Sequence, residues 1–67
     1  MPKKLMSRVR VCREQKSLTQ HELAHVVGVS RQTIVAIERG NYVPSVGLAM
    51  ELATYFRQPV DHLFYWN

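Results

Sequence analysis

Thr19-Gln20-His21-Glu22-Leu23-Ala24-His25-Val26-Val27-Gly28-Val29-Ser30-Arg31-Gln32-Thr33-Ile34-Val35-Ala36-Ile37-Glu38-Arg39-Gly40 reads as two short helices joined by a tight turn. Thr19 suits an N-cap, and Glu22 three residues later completes a capping box in which hydroxyl and carboxylate each take a backbone N–H. Gly28 follows the last apolar residue of the first helix, where the chain needs left-handed backbone that glycine adopts most cheaply. Ser30 caps the second helix and Gly40 closes it.

Two helices about a glycine turn within roughly 20 residues is the spacing of a helix-turn-helix. The apolar pattern agrees. At about 100° per residue, Leu23, Ala24 and Val27 share one side of the first helix, and Ile34 and Ile37 one side of the second. Ala24 is small where one helix passes close to the other. Opposite the isoleucines stand Gln32, Val35, Ala36 and Arg39, with Arg31 at the open N-terminal end. That face carries the groups a base-pair groove can meet.

The chain has 67 residues, enough for one domain spanning 1–67. A domain of this size buries only about 60% of its unfolded surface, so an added interface would help it. Hydrophobic residues make up 46%, which excludes a disordered tail. Nine Lys and Arg against five Asp and Glu leave a net charge of +4, the balance of a nucleic-acid binder. One cysteine, Cys12, rules out an intrachain disulfide framework. With no long apolar run and no signal-peptide core, the expectation is a cytoplasmic protein without a membrane partner or cofactor.

Around the motif, Met1 to Met6 carries Lys3 and Lys4, either as a solvated basic end or as an arm or strand near phosphates. Ser7 to Lys16 suits a helix capped by Ser7, with Leu5, Val9 and Cys12 on one side. Asn41 to Ser45 is a loop stiffened by Pro44, and Ser45 caps a fourth helix over 46–56. Val46, Leu48, Ala49, Leu52, Ala53 and Phe56 form its apolar stripe; Gly47, Glu51 and Thr54 face water, with Tyr55 at the margin. Gln58-Pro59 ends it, and Val60 to Phe64 suits a last short helix. Leu63-Phe64-Tyr65-Trp66 is too apolar to hang loose. It packs either on the chain's own N-terminal segment or across a two-fold axis, and the homodimer is the favoured reading.

His21-Glu22-Leu23-Ala24-His25 also spells H-E-x-x-H, the zinc-peptidase signature. Gly28 extends the match, but Arg31 stands where a third ligand would be needed. A short helix carrying both histidines on its outer face, in so small a chain, offers no dry cleft. No catalytic residue and no metal site is therefore assigned; a zinc peptidase remains the remote alternative.

Leu18-Thr19-Gln20…Glu22-Leu23-Ala24…Gly28-Val29-Ser30-Arg31-Gln32-Thr33-Ile34…Ile37-Glu38-Arg39-Gly40, followed by Tyr42-x-Pro44-Ser45 and Leu48-Ala49…Leu52-Ala53, closely resembles the phage-repressor and Cro-type helix-turn-helix family of transcription regulators. The resemblance spans roughly residues 8 to 64. It implies an all-α, compact five-helix lambda-repressor-like domain, with a small antiparallel sheet joining the chain ends in some short relatives. It implies a sequence-specific binder of double-stranded DNA, a repressor acting as a homodimer on an inverted repeat. It further implies an internal ion pair between Arg13 and Glu38.

A recognition helix over about 30–39 would enter the major groove. Arg31, Gln32, Thr33, Val35 and Ala36 are the candidate base contacts: Arg suits guanine, Gln adenine, and small apolar groups the thymine methyl. Gln20, Ser30, Arg39, Asn41 and Tyr42 are the candidate phosphate contacts, with Gln20 clamping the backbone as in the resembled family. Tyr55, Leu63, Phe64, Tyr65 and Trp66 are the candidate dimer interface, within a C-terminal end at about 57–67. An antitoxin-like module whose C-terminal end grips a toxin is the alternative.

Overall fold

The computed structural model describes residues 3–67; Met1 and Pro2 of the expected basic arm lie outside them. In chain order come β1 (Leu5–Ser7), α1 (Val9–Gln15), α2 (Gln20–Val27), α3 (Arg31–Arg39), α4 (Val46–Phe56), α5 (Val60–Leu63) and β2 (Phe64–Trp66). Five helices surround one core, and the two strands pair antiparallel with Leu5 opposite Trp66 and Ser7 opposite Phe64. The sheet makes the fold mixed rather than purely α-helical.

The expected caps close the helix ends. Thr19 and Glu22 exchange backbone hydrogen bonds as a full capping box, Thr19 Oγ1 accepting from the Glu22 N–H at 3.0 Å. Ser30 and Ser45 accept the N–H groups of Thr33 and Leu48. Gly28 and Gly40 both sit at φ 76°, where a side chain would strain the backbone. After Gly40 the Asn41 N–H returns to the Ala36 carbonyl at 2.9 Å, which ends α3 sharply.

Leu23 and Ala24 of α2, Ile34 and Ile37 of α3, and Leu52 of α4 meet in the core with Val9, Cys12, Phe56, Leu63 and Phe64. Removing a side chain such as Ile34 from water stabilises the domain by about 1.5–3 kcal/mol. Cys12 is a buried free thiol, a small apolar filler.

Four expectations need correction. Ser7 is the last residue of β1, and its hydroxyl donates to the Ile37 carbonyl of α3 at 3.4 Å rather than capping α1, which starts at Val9, after Arg8, without a side-chain cap. Val46, expected in the core stripe, is 77% exposed, because Leu48, Leu52 and Phe56 turn the opposite flank of α4 inward. The last helix stops at Leu63, since Phe64 is already extended (φ −121°, ψ 137°). Leu63 and Phe64, assigned to a dimer interface, are buried in the chain's own core, where β2 lies along β1. Of that set, Tyr55 is half-buried against Phe56, Tyr65 lies under the Arg8 guanidinium at 4.1 Å, and only Trp66 is mostly exposed.

Hydrogen bonds from the backbone N–H and then the side chain of Thr19 hold the Glu22 carboxyl below its ordinary pKa. A depressed carboxyl contributes stability above its unfolded value and loses it as pH falls through the folded one. Thermal midpoints measured from pH 6 downward should therefore fall, and the fall should be shallower in Glu22→Gln. Identical pH profiles would mean the box carries none of the acid sensitivity.

Candidate nucleic-acid interface

Ile34 and Ile37 anchor α3, and that anchoring decides what it shows to solvent. With both isoleucines fully packed, Arg31, Gln32 and Arg39 are exposed, and Val35 and Ala36 lie half-buried between them. The helix thus presents two long polar side chains at its start, a shallow apolar middle and a cation at its end. Thr33 stands on the flank, where its hydroxyl is 3.0 Å from that of Ser30. Both hydroxyls are engaged in starting the helix. Asn41 and Tyr42 follow on the exposed loop.

The tilt of α3 is held by a polar strut. Arg13 Nε donates to Glu38 Oε2 at 2.7 Å and its Nη2 to Oε1 at 3.1 Å, a two-pronged pair whose side chains are 12% and 4% exposed. Arg13 Nη1 also donates to the Leu18 carbonyl at 2.8 Å. The Glu38 hydrogen bond is the main cause that raises the guanidinium above its ordinary pKa, against an opposing effect of burial. The Arg13–Glu38 pairing implied by the resemblance is thus present.

Gln20 differs from the expectation of a free phosphate clamp. Its Nε2 donates to Glu38 Oε1 at 3.1 Å, and its Oε1 accepts from Arg31 Nη2 at 3.3 Å. One donor and one acceptor site of the amide are engaged inside the protein, and its orientation follows from the carboxylate, which can only accept. A chain of hydrogen bonds therefore runs from Leu18 through Arg13, Glu38 and Gln20 to Arg31. Sequence reading missed the last two links; the clue was a Gln and an Arg eleven residues apart across a motif whose ion pair was already implied.

The H-E-x-x-H residues do something else. His21 and His25 are exposed, and Glu22 Oε1 accepts the Thr19 N–H at 2.8 Å. The carboxylate that a peptidase would need as general base is the one closing the capping box. Among the described residues no three His, Cys, Asp or Glu gather to hold a metal.

The sequence profile of the helix-turn-helix family matches residues 9–63. An uncharacterised HTH-type transcriptional regulator of Methanocaldococcus jannaschii is 40% identical over 94% of this chain and 96% of the relative. The cryptic phage CTXphi transcriptional repressor RstR of Vibrio cholerae is 32% identical over 85% of this chain and 51% of its own. Among solved structures, the restriction-modification controller protein C.AhdI from Aeromonas hydrophila superposes with a TM-score of 0.72 at 32% identity, covering 79% of this chain and 80% of that one.

Removing one partner of the strut strands the other charge, a loss of about 3–5 kcal/mol for a buried pair. Glu38→Ala should lower the unfolding free energy obtained from urea titration by that order. Arg13→Lys should not restore it, because an ammonium cannot make the two-pronged contact. A Glu38→Ala loss below about 1 kcal/mol would reduce the pair to a surface contact.

Proposed function

We infer from its place in the phage-repressor/Cro-type helix-turn-helix family of transcription regulators, to which the chain belongs, that it binds an inverted-repeat DNA operator as a homodimer and represses transcription. Members of the family are DNA-binding regulators and not enzymes. The observation that carries the operator reading is α3: a helix anchored by two buried isoleucines with Arg31, Gln32 and Arg39 turned outward. Repression is supported by the named phage repressor among the relatives. No helix among the described residues is long and apolar enough to cross a membrane.

Arg31 and Gln32 stand at the N-terminal end, the part of a recognition helix that meets base edges. Each bidentate contact discriminates by about 1–3 kcal/mol. Arg39, Asn41 and Tyr42 are placed to position the backbone on the far side. Gln20 serves Arg31 first and phosphate second.

One such helix reads too few base pairs to find a genomic site, and a dimer reads two half-sites about 34 Å apart. A second copy fits best on the outer flank of α4. Val43, Val46 and Met50 are each more than half exposed there, and Tyr42 and Val60 adjoin them. A shallow groove of about 300 Å³ between Met50, Ala53, Arg57 and Val60 gives this face relief. A standard interface takes about 800 Å² from each partner, roughly one-sixth of this chain's 4750 Å². Trp66 is the one strongly exposed member of the C-terminal set and marks the competing axis.

Selection from random DNA should return an inverted repeat with half-sites one turn apart. Arg31→Ala and Gln32→Ala should then lower preference for that site by about 1–3 kcal/mol each while random-DNA binding changes little; equal losses on both would refute base reading. In sedimentation, Val46→Asp with Met50→Asp should give monomers. A dimer that survives this and yields to Trp66→Ala puts the axis at β2 instead.

A further inference from the structure

We propose that a cleft between α1 and α3 seats a backbone phosphate of the bound DNA, and that Arg10 leaves Glu14 to hold it. The proposal rests on the DNA-binding reading above and adds a contact from α1, a helix with no assigned part in it. The cleft encloses about 450 Å³ and is lined by Arg10 and Arg13 of α1, Gln20 of α2, and Arg31, Glu38 and Arg39 of α3. Arg13 and Glu38 neutralise each other across its floor. Three guanidiniums remain around the rim: Arg31 and Arg39 at the two ends of α3, and Arg10 on the facing wall.

Such a rim suits one kind of ligand. Arg31 and Arg39 lie eight residues apart, about 12 Å along the helix axis, so one phosphate cannot satisfy both. With Arg31 turned to the bases, Arg39 and Arg10 are left for the phosphates of the strand. With α3 in the major groove, a phosphate ridge runs beside it, and the cleft is the hollow on the α1 side. Arg10 then grips from α1 the strand whose neighbouring phosphate Arg39 meets from α3, while Arg31 stays turned to the bases.

The grip that Arg10 has in the free protein is weak. Its Nε donates to Glu14 Oε2 at 3.3 Å, and the two side chains are 69% and 55% exposed. The cation precedes the anion by one turn, the less favourable order, and stands in the first turn of α1, where the helix dipole opposes it. A phosphodiester matches the guanidinium fork as the carboxylate does, with the same single charge, but it stands in the continuous row of charges along the strand. Glu14 thus neutralises Arg10 until DNA arrives and competes with DNA for it.

The test uses a duplex carrying the site selected by the wild-type protein, with affinity measured over a range of salt. Arg10→Ala should bind roughly five- to tenfold more weakly at 0.1 M salt and lower the slope of log K against log salt by about 1.8, or 0.9 for each of the two seats of the dimer, equally on the selected site and on random duplex. Glu14→Gln should bind about twofold more tightly. Most of that gain should vanish when Arg10→Ala is also present, since the gain is the release of Arg10. Thermal midpoints of the variants report folding separately. Wild type that binds while Arg10→Ala keeps its affinity and slope overturns the phosphate seat alone. A Glu14→Gln gain undiminished without Arg10 overturns the exchange. A wild type indifferent to duplex DNA at low salt overturns the functional reading and this proposal with it.

Discussion

The salt bridge between Arg13 and Glu38 is the constraint on which the rest of the structure depends. It joins α1 to α3 at 2.7 Å through two side chains that are mostly shielded from water. Its value is geometric, because the desolvation of a buried pair consumes most of what the attraction returns. A pair of leucines could hold the two helices together as strongly, but not at one fixed rotation. The two-pronged contact admits one angle, and Ile34 and Ile37 remove the remaining freedom of α3 from below. The carbonyl of Leu18 and the amide of Gln20 draw on the same two side chains. One polar strut therefore orients α3 against the turn before α2, the start of α2, and α1 together.

The remainder of the fold compensates for small size. The core is one cluster, and the chain ends are pinned by the β1–β2 pairing, with the Asn67 N–H on the Lys4 carbonyl at 3.1 Å. Strain is accepted in two places: Ser17 and Arg57 occupy left-handed backbone at φ 56° and 55°. Such residues cost about 1–3 kcal/mol each and persist where the surroundings over-determine them. Arg57 borders the apolar groove of α4. A glycine there would relieve the backbone and remove a cation from the edge of the face where a second copy is proposed to dock.

The motif was legible because its signals are local. A capping box, two left-handed glycines and two serine caps fix helix ends within four residues of themselves, and the structure places those ends as the sequence implied. What failed was non-local. Nothing near Ser7 says that residues 5–7 pair with 64–66, some sixty residues away, so a cap was expected where a strand ends. Val46 was counted as core because period alone does not say which edge of a wide stripe is cut off; Met50, four residues on, was the hint that α4 has a second apolar flank. Leu63 and Phe64 were sent to an interface because an apolar C-terminus looks orphaned until β1 is seen beside it. Arg10 was overlooked because a lone cation on an exposed helix face resembles any solvated charge, and only the cleft distinguishes it.

Two neighbouring residues on α3 are prepared differently for the base contacts proposed for them. Arg31 is already tethered through Gln20 to Glu38 and Arg13, so part of its rotamer freedom is surrendered before DNA arrives. Gln32 is exposed and has no side-chain hydrogen bond to restrain it among the described residues. Immobilising a long side chain on binding costs about 0.5–1.5 kcal/mol, and Arg31 has met some of that cost during folding. If Arg31 reads a base as proposed, the same chemistry that holds the helix at its angle would bias recognition toward the base pair facing Arg31. Stability and specificity in this chain pass through one hydrogen-bonded line, and a substitution anywhere along it disturbs both.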